Sequence, residues 1–155
     1  MSHPRDEVEA AVAAYCELRQ QIDAGEADWP ELASLFTDDA VYLDPAWGRV
    51  DGIDAIRTFL TESMRGLENW RFPIDWVAID GDRVVIKWRQ VLPGQRPDGS
   101  AYECSGLSSL RYAGGGRFAS SEDFLDMLHV YELIAESGWT PGPGFTTPPE
   151  HPVRR

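Results

Sequence analysis

Three oxygen-bearing side chains stand out as candidates for chemistry: Tyr42 and Asp44 within residues 41–48, VYLDPAWG, and Asp123 far downstream. The first stretch alternates with the period of a strand, so Tyr42 and Asp44 share one face and Val41 and Leu43 the other. A phenol and a carboxylate on one side of a strand are either the wet face of a half-exposed sheet or the lining of a pocket. In an apolar pocket a carboxyl loses hydration, its pKa rises, and it becomes a useful acid or base near neutral pH. Pro45 follows Asp44 at once, which leaves another role open, that of capping the turn. Asp123 ends the run Ser120, Ser121, Glu122. It is either the second carboxyl of such a pocket or the edge of a solvated acidic patch.

The same parity brings further groups to that face. Val84, Ile86, Trp88, Gln90 and Leu92 alternate on one predicted strand, and Tyr102, Cys104, Gly106, Ser108, Leu110 and Tyr112 on the next. If these faces are concave, Trp47, Trp88, Gln90, Tyr102, Ser108 and, from the first helix, Tyr15 line an aromatic pocket with a few polar groups. That is the usual make-up of a small-molecule site. Trp47 and Trp88 read as apolar wall, and Arg89, of opposite parity, faces away. His129 has a structural place between core positions of the last helix. Nothing beside Cys104 suggests thiolate activation.

The elements that must position these residues follow from periodicity. Val8, Ala11, Val12, Tyr15, Leu18 and Ile22 form one helical stripe that ends at Ala24-Gly25. Trp29-Pro30 opens a short helix through Leu32, Leu35 and Phe36. A third helix buries Ile53, Ile56, Phe59, Leu60 and Met64. An irregular strand follows through Trp70, Phe72, Ile74 and Trp76, with Asp80-Gly81-Asp82 as a hairpin turn. A long strand from about 101 to 112 turns at Ala113-Gly114-Gly115-Gly116 into one from about 117 to 125. The last helix, about 126–137, is expected to bury Met127, Val130, Tyr131 and Ile134. The order predicts one α+β domain over residues 1–137, a curved antiparallel sheet wrapped over helices with a cone-shaped pocket. Residues 138–155 hold five Pro and three Gly and predict a tail without regular structure. Trp139 and Phe145 give that tail apolar groups to pack on the body; free disorder is the alternative.

Composition narrows the function classes. With 155 residues the chain suits one domain, and 43% hydrophobic residues make it globular. A formal charge of −12 argues against nucleic acid and anionic membrane partners. No apolar run reaches the length of a membrane span, and no signal segment opens the chain. Two distant cysteines, Cys16 and Cys104, form no disulfide framework and point to the cytoplasm. His3, His129 and His151 have no zinc-type spacing, so neither metal nor cofactor is expected.

The run of residues 35–60, LFTDDAVYLDPAWGRVDGIDAIRTFL, resembles the nuclear transport factor 2-like superfamily in its SnoaL-like and ketosteroid-isomerase-like branch. The resemblance rests on the acidic turn Phe36, Thr37, Asp38, Asp39, Ala40, on the strand after it, and on the Gly52-x-x-Ala55-Ile56 helix start. It implies an α+β barrel of cystatin-like type, a hydrophobic small-molecule ligand and a homodimer through the convex side of the sheet, where Val85, Lys87, Arg89, Val91 and Leu107 lie. By the same resemblance Asp44-Pro45 falls on the catalytic base of ketosteroid isomerases. The tyrosine of their oxyanion hole is replaced by Leu18, with Tyr15 three residues earlier, and its aspartate by Ser108. Against limonene-type epoxide hydrolases, Trp88 and Gln90 replace the arginine and first aspartate, while Asp123 matches the second. Tyr42 there matches the water-holding tyrosine, and Asp44 an asparagine. The expected function is acid/base chemistry of isomerase, lyase or cyclase type on a hydrophobic carbonyl compound, with Asp44 as main acid/base group, assisted by Tyr42 and Asp123. The alternatives are a non-catalytic lipophilic binder or dimerising scaffold, and an epoxide hydrolase-like enzyme.

Overall fold

The computed structural model describes residues 2–155. Helix α1 (Arg5–Asp23) is followed by a short 3-10 helix (Trp29–Leu35), strands β1 (Phe36–Asp44) and β2 (Gly48–Asp51), and helix α2 (Ile53–Glu62). Then come β3 (Ile74–Asp80), β4 (Arg83–Gln95), β5 (Ala101–Gly114), β6 (Arg117–Leu125) and helix α3 (Met127–Ser137).

The strands form one six-stranded sheet in the order β2-β1-β6-β5-β4-β3, curved and unclosed. It meets the α+β expectation with one addition. β1 runs parallel to β6, which the chain reaches only after the whole β3–β5 meander; all other pairs are antiparallel. Local hairpin signals cannot reveal such a non-local pair.

Two apolar clusters hold the sheet to the helices. The larger one joins Val8, Val12, Tyr15 and Ile22 of α1 and Ile56, Phe59 and Leu60 of α2 to Val84, Ile86, Trp88, Leu110, Tyr112 and Phe118 of the strands. The smaller one joins Val130 and Leu133 of α3 to Trp70, Leu92 and Cys104. The alternation read on β4 and β5 therefore does face inward.

Three local expectations shift. On α1 the buried position is Arg19, not Leu18, which is only partly buried. On α3 Leu133 takes the core place and Tyr131 is 57% exposed, because the helix meets the sheet along Val130 and Leu133. The strand expected from Trp70 begins only at Ile74, after Pro73, which has no N–H for a ladder. α3 is capped at its start by the Asp126 carboxylate, which accepts from the backbone N–H of Leu128 and His129. It ends at Gly138 in the left-handed conformation.

Candidate functional site

A cavity of about 200 Å3 opens between the two clusters. Its walls are chiefly aromatic and aliphatic, with Trp29, Trp47, Phe59, Trp70, Phe72 and Trp88 prominent among them. The polar groups on the walls are Arg19, Tyr42, Asp44, Ser63, Gln90, Ser108, Asp123, Tyr131 and Thr146.

At the centre is a chain of four side chains. The indole N–H of Trp88 donates to the Ser108 hydroxyl at 2.9 Å, and Ser108 donates to Asp123 Oδ1 at 2.6 Å. The Tyr42 hydroxyl donates to Asp123 Oδ2 at 2.7 Å. Sheet register builds this chain: Ser108 faces Asp123 across β5 and β6, and Tyr42 of β1 pairs with Ser121, two residues from Asp123. Trp88 pairs with Gly106, whose missing side chain leaves room for the indole. Both carboxylate oxygens of Asp123 are thus engaged inside the protein.

Electrostatics set the carboxyls apart. Burial pushes Asp123 up to about 6, the Asp44 charge adds to the rise, and the Ser108 and Tyr42 hydrogen bonds oppose it. Burial also raises Asp44, against the backbone N–H groups of Trp47 and Ala46. Those two N–H groups both donate to Asp44 Oδ1 at 2.8 Å. The two readings of Asp44 therefore coexist: Oδ1 caps the turn, and Oδ2 has no hydrogen-bond partner among the described residues while the residue lines the cavity. Tyr42 is held far above its usual range by burial and then by Asp123.

Of the residues singled out in the sequence, Tyr42, Asp44, Trp47, Trp88, Gln90, Ser108 and Asp123 come together on the cavity wall. Tyr15 and Tyr102 do not. Tyr15 is wholly buried behind the wall, where its hydroxyl accepts from Arg19 Nη1 at 3.2 Å. Tyr102 packs beside α3 with the Arg96 guanidinium 4.9 Å above its ring. Arg19 is the wall residue that the periodicity reading passed over. Its signal is a lone cation at the i+4 position from Tyr15 on an otherwise apolar stripe.

The tail closes one side of the cavity. Trp139 packs edge-on to Trp70 at 5.0 Å, and Phe145, Thr146 and Pro148 line the wall. Gly142 N–H donates to the Gly66 carbonyl, Arg49 N–H to the Val153 carbonyl and Arg154 to the Pro45 carbonyl. The last two bonds fasten the tail to β2 and to the turn that Asp44 caps.

The SnoaL-like domain family matches residues 10–121, most of the chain. This protein belongs to the SnoaL-like domain family. No curated protein matches it. Solved structures share its fold. A candidate SnoaL-like polyketide cyclase from a Jannaschia species is 17% identical, with a TM-score of 0.65 over 87% of this chain and 97% of its own. TerC, co-crystallised with polyporic acid, is 20% identical, with a TM-score of 0.63 over 83% of this chain and 98% of its own. A protein of ketosteroid isomerase-like fold from Catenulispora acidiphila, in complex with trimethylamine, is 23% identical, with a TM-score of 0.59 over 87% of this chain and 98% of its own. At these identities the likeness concerns the fold alone. For this SnoaL-like domain a function has to be read from its own cavity. Among the described residues no helix is long and apolar enough to cross a membrane.

Proposed function

We propose that this SnoaL-like domain is an acid/base enzyme that moves a proton next to the carbonyl of a hydrophobic compound, as isomerases, lyases and cyclases do. The observation that carries this reading is the pair of carboxyls on one aromatic cavity wall, both raised by burial, with the Asp44 charge adding to the rise of Asp123. Asp123 is pushed up to about 6, in part by the Asp44 charge, and Asp44 serves as the base in its ionised form. Asp44 Oδ2 then takes a proton from the carbon beside the carbonyl. The electron pair of the broken C–H bond moves to the carbonyl oxygen, which receives a proton from Tyr42. Protonated Asp123, with the direction of their 2.7 Å hydrogen bond reversed, then restores the Tyr42 hydroxyl.

A second reading has its own support. Both Asp123 oxygens and one Asp44 oxygen are already satisfied within the protein, as suits a rigid binding pocket. Hydrogen–deuterium exchange of 2-tetralone in deuterated buffer, followed by NMR, separates the two. The enzyme reading expects exchange well above buffer, reduced by about 100-fold or more in Asp44→Asn. Binding of the ketone without accelerated exchange supports the binder.

The convex face supports a homodimer. Trp76, Lys87, Leu107 and Phe124 lie on one rung across β3, β4, β5 and β6. Trp76 is 51% and Phe124 50% exposed, and these large apolar groups at the two ends of the row suit contact with a second copy. Light scattering is expected to give twice the mass of the chain, and Phe124→Glu to shift the sample toward monomer. A strict monomer for the unaltered protein contradicts the dimer. The free thiols of Cys16 and Cys104 suit a reducing compartment, and we place the protein in the cytoplasm.

A further inference from the structure

We propose that Arg19 is an anchor for an ionised oxygen group, so that the ligand is a hydrophobic compound bearing a carboxylate, enolate or phenolate. The proposal rests on the reading of the cavity as a ligand site and names the class of ligand it takes.

Arg19 is only 5% exposed, yet it lines the cavity. Its guanidinium stays charged whatever its surroundings, and it offers five N–H groups. Nη1 donates to the Tyr15 hydroxyl and Nη2 to the Phe72 carbonyl, both at 3.2 Å. Nε is buried and has no acceptor among the described residues. The cation is framed by aromatic faces, with the ring centres of Trp29 at 5.1 Å, Tyr15 at 5.8 Å and Trp88 at 6.0 Å. Those faces soften the loss of water without supplying a negative charge.

No carboxylate among the described residues forms an ion pair with Arg19. Two acids feel its charge, and both are committed elsewhere. Asp23 accepts from the Phe72 backbone N–H with both oxygens, at 3.1 and 3.0 Å, and Asp123 is held by Ser108 and Tyr42. A buried cation without a contacting counter-ion is costly, because removing it from water is not repaid by a pair.

The same cavity holds one further buried donor without an acceptor and one amide without a protein partner. The Trp70 indole N–H is buried and unpartnered, and Trp70 is 3% exposed. Gln90, 8% exposed, has no side-chain hydrogen bond among the described residues. Arg19, Trp70 and Gln90 stand on α1, the segment before β3, and β4, so the unmet donors are spread over separate elements of one wall. A neutral hydrocarbon would leave all three unsatisfied. A conjugated or aromatic acid fills the apolar volume and brings the missing negative oxygens.

The matched probes 2-naphthoate and methyl 2-naphthoate differ in the charge of one group and test this by calorimetry at neutral pH. The unaltered protein is expected to bind the acid about 10-fold to 100-fold more tightly than the ester, the range of a charge-assisted hydrogen bond. Arg19→Gln is expected to abolish that preference while keeping the affinity for the ester, which also reports that the cavity is intact. Arg19→Lys retains a charge and should keep part of the preference. Equal binding of acid and ester by the unaltered protein, which needs no variant to fold, overturns the anchor and leaves the ligand-cavity reading standing. A preference that survives in Arg19→Gln overturns it too. Binding of neither probe removes the ligand-cavity reading itself, and the anchor with it.

Discussion

Asp123→Asn is expected to make the protein more stable than the unaltered chain at about pH 8, with the advantage vanishing toward about pH 4. The ordinary carboxyl of an unfolded chain loses its proton near 3.8, whereas the folded Asp123 keeps it to about 6. Below the lower value both states are protonated, and the folded state suffers no penalty. As pH rises through the interval the unfolded chain ionises first, so the native state loses stability, and the loss is complete above the folded value. Two pH units correspond to about 3 kcal/mol. Asparagine has no proton to lose, and its amide can donate to one of the Ser108 and Tyr42 hydroxyls while its carbonyl accepts from the other. Denaturant unfolding of both proteins across that pH range checks this. The quantity to follow is their difference, since surface acids such as Asp75 and Asp82, lowered by their partners, change both proteins alike. A difference that does not vary with pH would show that Asp123 titrates as an ordinary surface acid.

Gly106→Ala is the substitution expected to cost most for its size. A Cβ there would meet three atoms of the Trp88 indole at 2.4 to 2.6 Å, well inside contact distance. The ring has little freedom to retreat: Trp88 is 5% exposed, packs against Phe72 and is held by Ser108. Overpacking of this kind costs about 1–3 kcal/mol. Displacing the indole also takes the donor from Ser108, so the disturbance reaches Asp123 through the hydrogen-bonded chain. The double variant Gly106→Ala with Trp88→Leu is expected to be clearly more stable than the sum of the two single changes predicts, because the smaller side chain relieves the clash. Strict additivity would mean that the methyl group and the indole do not meet.

How far the site could be read from sequence depends on the range of the interactions that build it. Tyr42 and Asp44 share a strand, and period 2 alone puts them on one face. The same rule places Trp88 with Gln90, and it works for Ser108. That Asp123 stands opposite Ser108 is a matter of register between β5 and β6, set by the length of the glycine turn, and composition hid it behind an acidic run. Arg19 and Leu18 fit the helical stripe almost equally well by spacing. Hydrophobicity favours Leu18, but tertiary packing gave the inner position to the cation, where the aromatic rings of Trp29, Tyr15 and Trp88 receive it. The path of the tail has no period to follow. It depends on close backbone approach at Gly48 and Gly66, where a side chain would collide with Val153 and Phe145.

The central claim is that this cavity holds a carboxyl poised to exchange a proton near neutral pH. Carbon-13 NMR of the Asp123 carboxyl, titrated in the unaltered protein and in Asp44→Asn, tests it most directly. The account predicts a midpoint of about 6 in the unaltered protein and a lower one in the variant, where the neighbouring negative charge is gone. A midpoint at or below the ordinary 3.8, unmoved by the loss of Asp44, would contradict it.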